Sequence, residues 1–350
     1  PTELTFNGSA ANSYSPVTTL SQGIPVLTPP DISAGSVSLP PGAIFTTDPQ
    51  NFIRGYTESW NLTFEKNLGK GCLAQAGYVG THTVHQHTRY NINYGLPGGG
   101  AASQAFYPLG VTGSIALILP FENMNYQSLQ TSLGRRFSNG LQFQLAYTRS
   151  KWIGVCCDDS GDGGPAIPVP QYTSLNRALM SADRPNNLQI SGIYELPFGK
   201  SKLWLNHGIG AALTGGWQIN GIFSKYSGTP FSVSASGAAL NAPGNTQRAD
   251  QVKPDVAILG GVGSAPWFDP LAFASVNQAR FGTAGFNTVR GPGKTNLDLS
   301  VFRNFHLTER WVLQFRAEAL NASNTPHFSN PGANVSNMQL NSDGSINNLN

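Results

Sequence analysis

The chain has 350 residues, enough for one large domain or two to three ordinary ones, but only 11% are charged where a soluble domain carries about 25%. A net charge of +3, with no basic block longer than Arg135-Arg136, argues against a nucleic-acid surface. Three cysteines without CxxC spacing (Cys72, Cys156, Cys157) argue against a disulfide framework or a zinc site, and no apolar run approaches the ~18 residues of a membrane-crossing helix.

Forty glycines and 24 prolines suit strands joined by irregular loops and interrupt helices. The chain opens at Pro1 in loop-like sequence, with neither initiator Met nor signal peptide, and reads as a fragment or a mature piece. The first alternating stretch is 56–66, where Trp60, Leu62 and Phe64 oppose Ser59, Asn61, Thr63 and Glu65; successive side chains of a strand point to opposite faces. A short turn, 68–71, leads to a strand at 72–80, and a long loop, 83–121, follows with the apolar "IALIL" at 115–119. Strands at 126–137 and 140–150 flank the turn 138–140; the second sets Leu141, Phe143, Leu145 and Tyr147 against Gln142, Gln144, Ala146 and Thr148. After a second long loop, 154–184, come strands 187–196 (Ile193 breaks the pattern) and 216–226, joined by a turn around 197–202 with a longer tail. A third long loop covers 235–293. Strands 295–305 and 311–319 then flank the turn 306–310, the last opposing Trp311, Leu313, Phe315, Ala317 and Ala319 to Val312, Gln314, Arg316 and Glu318.

These eight strands alternate short and long connections, which is the signature of an outer-membrane barrel with tight periplasmic turns and long extracellular loops. Several approach the ~9–11 residues that cross a bilayer when tilted. Trp60, Tyr147, Trp152, Trp217 and Trp311 gather at strand ends, as interfacial girdles require. A secreted sandwich or propeller has an equally apolar buried face, but its loops are more even and its blades repeat; no fixed period is present. The expected fold is therefore all-β, an antiparallel transmembrane β-barrel with long extracellular loops. Eight strands left open would expose backbone groups to lipid, and closed on themselves they would pack their lumen with side chains. Loops this long and polar suit a wider barrel.

Candidate chemistry is sparse. Gly293-Lys294-Thr295, within "RGPGKTNLDLSVF" (290–302), imitates the end of a phosphate-binding loop, but the glycine needed five positions earlier is Thr288. The following residues also alternate as a strand instead of opening a helix whose amides cradle phosphate. "DDSGDGG" places Asp158, Ser160, Asp162 and Gly163 at calcium-loop offsets, yet Val169 stands where the bidentate Glu belongs; an acidic surface loop accounts for it. His85 and His87 share a face in extended chain, with His82 nearby, but no acidic or cysteine partner is close in sequence. Cys156-Cys157 form either a vicinal disulfide or two loop thiols. Neither G-x-S-x-G nor H-E-x-x-H occurs. No catalytic constellation, metal site or cofactor is expected, and the chain does not read as an enzyme.

The blocks "ESWNLTFEKNLGKGCLAQAGYVGTHTVH", "NYQSLQTSLGRRFSNGLQFQLAYTRSK", "ADRPNNLQISGIYELPFGK" and "GPGKTNLDLSVFRNFHLTERWVLQFRAEALNASNTPHFSNP" closely resemble the C-terminal barrel of Oar-like TonB-dependent receptors, outer-membrane proteins of Acidobacteria and their relatives with a carboxypeptidase-regulatory-like domain. The resemblance implies about eight strands of a 22-stranded barrel with an N-terminal plug. It also implies energised uptake of a scarce ligand through the inner-membrane TonB complex. Neither plug, TonB box nor final aromatic-ended strand is found in the sequence. On this basis 1–50 is an extracellular loop region, 51–321 a partial outer-membrane barrel, and 322–350 an extracellular loop leading to a missing last strand. Ligand contacts are expected from the loop aromatics Tyr107, Tyr172 and Trp267, with siderophore, glycan and peptide all open. Outer-membrane lipid and lipopolysaccharide are the expected surroundings, Lys294 lying near the outer rim beside lipopolysaccharide phosphates. The competing reading is a structural or adhesive surface protein that transports nothing.

Overall fold

A computed structural model describes Ser21, Ser33 and residues 45–155, 164–200, 202–262 and 265–339. Within them the strands are β1 Phe45–Thr47, β2 Tyr56–Gly69, β3 Cys72–Asn91, β4 Ile115–Ser138, β5 Leu141–Val155, β6 Arg177–Leu179, β7 Asn186–Glu195, β8 Trp217–Tyr226, β9 Pro230–Phe231, β10 Asp250–Gln251, β11 Phe273–Ala274, β12 Val289–Arg290, β13 Lys294–His306 and β14 Val312–Ala319. One α-helix, α1 Gly208–Thr214, lies in the β7–β8 connection.

Eight long strands form an antiparallel meander in which β2, β3, β4, β5, β7, β8, β13 and β14 each pair with the next. They are the eight that alternation predicts. The sheet is open: β2 and β14 are its edges, and their side chains are exposed throughout. Most of the N-terminal region expected as loop, the calcium-like run at 158–163, Cys156-Cys157 and residues 340–350 lie outside the described residues.

Directly paired residues share a face, so register converts alternation into two surfaces. One row runs Ala74, Leu133, Leu145, Ile190, Phe223, Leu297 across six strands. The row on the other face runs Glu65, Gln75, Ser132, Ala146, Gln189, Ser224, Asn296 across seven. The polar face is cross-linked by side chains, Gln75 Nε2 donating to Glu65 Oε2 at 2.6 Å and Ser132 Oγ bonding Gln75 Oε1 at 3.2 Å. Among the described residues nothing covers the apolar face: Leu62 is 60%, Phe64 69% and Leu313 58% exposed. A continuous apolar surface of this extent is the lipid-facing wall of a barrel, with the polar face turned to the lumen.

Two expectations about the connections need correction. The loop expected over 83–121 spans only 92–114, because β3 continues to Asn91 and β4 begins at Ile115, taking in "IALIL". Both strands therefore rise well beyond the apolar band. The long connections are also not merely polar: the buried core of the described residues lies mostly in them and in the segment after β14, the long strands adding Tyr90, Ile115 and Ala116. One cluster joins Phe231, Val233, Phe268, Phe273, Val289 and Val335; another joins Ile167, Val169, Leu240, Phe281 and Phe286. The connections at the opposite end are turns at 70–71 and 139–140, the helix-bearing segment 196–216, and 307–311.

The glycine-rich stretch before β13 is a strand junction. β9 pairs with β12 just beyond the β8–β13 ladder, and a Cβ on Gly228 would sit 1.8 Å from the Gly291 carbonyl oxygen. Backbones approach there too closely for any side chain.

Candidate functional site: the cap at the long-loop end

The long connections fold together into a cap. Its two clusters gather apolar residues far apart in sequence, Val335 belonging to the same cluster as Val233 and Phe268. Polar bonds fix the same layout. Val335 N donates to Ser234 O at 3.0 Å, and Asn245 Nδ2 to Gly95 O at 2.9 Å. Asn176 is buried and brackets Ile167, accepting from its N–H at 2.9 Å and donating to its carbonyl at 2.8 Å.

Charges in the cap are structural. Asp183 is buried, accepts from Trp152 N at 2.7 Å and pairs with Arg290, tying the third long connection to the top of β5. Arg280 grips Asp250 with both terminal nitrogens, at 2.8 and 2.7 Å, and this bond holds the Asp250 carboxyl below its ordinary pKa. Arg248 is buried, donates to Gly282 O at 2.7 Å and lies 5.3 Å from the Phe286 ring centre. Burial lowers its pKa, but a guanidinium stays protonated in proteins.

The cap holds a cavity of about 260 Å³ whose apolar wall includes Trp267, Phe268, Phe328, Pro331, Val335 and Met338. Among the described residues no charged side chain lines it; Ser329, Asn334 and Asn337 supply its polar groups. Such a site can stack on and exclude water from an apolar ligand, and orient it with a few hydrogen bonds.

The expected contact residues fall in three places. Trp267 lines the cavity, its Nε1 donating to Arg290 O at 2.7 Å. Tyr172 stacks edge-on against Phe281, ring centres 5.0 Å apart. Tyr107 is exposed in the short 3-10 turn 107–109. Phe328 to Met338 escaped the sequence reading, since apolar residues scattered through an irregular segment carry no period; the density of Phe and Pro there is the usable signal.

The histidines diverge. His82 Nδ1 lies 3.6 Å from Glu58, a cross-strand neighbour that sequence distance hides. His85 has φ 58° in a bulge, and His87 stacks on Phe52 at 4.4 Å. Among the described residues no three His, Cys, Asp or Glu side chains converge as metal ligands. Lys294 also departs from expectation: it pairs with Tyr226, on the polar face, not on the lipid-facing rim.

A search of curated proteins finds no match. Among solved structures the chain is similar to the outer membrane transporter YddB from Escherichia coli, with 10% identity and a TM-score of 0.48 over 88% of this chain; it spans 33% of that one. The family model for the outer membrane beta barrel domain matches residues 1–348. With its lipid-type outer face, polar inner face and one-sided cap, the chain belongs to the outer membrane β-barrel domain family and is a protein of the bacterial outer membrane.

Proposed function

We propose that this chain forms wall and external cap of a TonB-dependent, Oar-like receptor that captures a scarce ligand outside the cell and imports it without catalysis. The observation that carries the reading is the inequality of the two ends. Three short connections and one helix-bearing segment, 196–216, close one end, while a cap with its own core and an uncharged cavity stands over the other. A polar inner wall beneath that cap suits passage of a hydrated solute. In this reading further strands complete a barrel of about 22, and a plug filling the lumen couples to the inner-membrane complex. The missing partner strands would satisfy the open edges of β2 and β14, which lipid cannot.

Crosslinking in intact cells tests the coupling. The whole natural protein is expected to crosslink to the periplasmic domain of TonB, more strongly when its ligand is present. Absence of a crosslink, with an established TonB-dependent receptor of the same cell as positive control, would sink the transport reading and leave a structural or adhesive surface protein.

A further inference from the structure

Charge on the lipid-facing surface is confined to its ends. On β5 the apolar run Leu141, Phe143, Leu145, Tyr147 gives way to Arg149 and Lys151, and two strands away Lys225 stands level with Tyr147. All three cations are exposed, and among the described residues none has a carboxylate partner. The acidic residue of this face on β2, Glu58, already faces His82. From Leu141 to Arg149 is eight residues, about 26 Å along the strand, so these cations mark the upper edge of the band a bilayer core covers.

An open depression of about 530 Å³ lies at this edge. Tyr78, Leu129 and Leu179 give it an apolar floor, and Arg149, Lys151 and Arg290 rim it. Arg290 is neutralised by Asp183. Arg149 is held in place by Asn186, whose Oδ1 accepts from it at 2.9 Å and from Tyr147 OH at 2.8 Å, while Asn186 Nδ2 donates to Ser227 Oγ at 3.0 Å. Among the described residues no carboxylate lines the site.

We propose that this depression binds the phosphate of a phosphorylated glycolipid in the outer leaflet, with Arg149 and Lys151 on the phosphate and Leu129 and Leu179 against its apolar portion. Free phosphate would use the cations and leave the floor uncovered; an uncharged lipid would do the reverse. The site rests on the lipid-facing assignment of the apolar face, and on its capped end facing out, but not on transport.

The test is native mass spectrometry of the whole natural protein in mild detergent, titrated with bis-phosphorylated lipid A, dephosphorylated lipid A, phosphatidylglycerol and inorganic phosphate. Bis-phosphorylated lipid A is expected to bind tightest, and the R149Q/K151Q variant to bind it about thirtyfold more weakly, two surface cations having been removed. K294Q, on the lumen face, leaves binding unchanged, and R149K/K151R, which keeps both charges, retains it. Equal binding of the dephosphorylated form, undiminished binding by R149Q/K151Q, or phosphatidylglycerol matching lipid A overturns the proposal; so does full competition by equimolar inorganic phosphate. Wild-type protein that fails to show heat-modifiable migration on a gel overturns the membrane placement itself, which distinguishes that failure from failure of the lipid site.

Discussion

Asp183 acts on three elements at once, accepting from β5 at Trp152, holding Arg290, and sitting where Arg290 also reaches the carbonyls of Asp183 and Gly228. Removing one member of a buried pair leaves the other uncompensated. Asp183→Ala should loosen the cap by about 2–3 kcal/mol, below the full buried-pair cost because Arg290 is 30% exposed; hydrogen exchange at residues 228–231 and 289–292 should rise while the sheet stays protected. The Asp250–Arg280 clasp gives a pH signature. A carboxyl whose pKa is depressed on folding contributes stability above its unfolded value and loses it as pH falls through the folded one. Cap stability should therefore weaken below about pH 4, and Asp250→Asn should flatten that dependence in a cap-proteolysis assay. Neither pair was legible in the sequence. Their members lie 107 and 30 residues apart, in segments without period, and only tertiary folding joins them.

At the scale of the strands the sequence was nearly sufficient, because a half-lipid, half-water sheet imposes a period of two on every crossing. Leu145 and Gln144 are adjacent but face opposite media. Leu145→Arg, in the middle of the apolar row, should lower unfolding free energy of the whole protein in liposomes by about 2–4 kcal/mol, whereas Gln144→Arg on the lumen face should change it by less than about 1 kcal/mol; urea titration separates them. The sequence pattern failed above the band. In β3 the left-handed His85 and register shifts around Gln86 slip the phase of alternation. In β4, Ile115 and Ala116 are buried, so the apolar run there belongs to packing of the cap and not to lipid. Ile193, Ile222 and Phe302 sit on the polar face by register, each between polar partners: Gln142 and Asn220, Ser191 and Asp298, Gln218 and Arg316.

For the molecule as a whole, the open edges are the feature that composition foreshadowed least and topology states most directly. Disulfide trapping with cysteines scanned along β2 and β14 of the natural protein in its membrane should yield no bond between those two strands. A ladder of successive bonds would mean that the eight strands close on themselves. The cap, by contrast, was visible in the sequence only as length: its core is drawn from scattered residues whose meeting no local pattern encodes. One consequence follows from the overlong β3–β4 pair. Gln127 lies level with Lys151 at the lipid edge, and β4 continues twelve residues above it to Ile115, about 40 Å along the strand. That hairpin is a mast. It lifts part of the cap clear of the headgroup layer, so that a bulky molecule arriving from the medium meets protein before it meets the membrane.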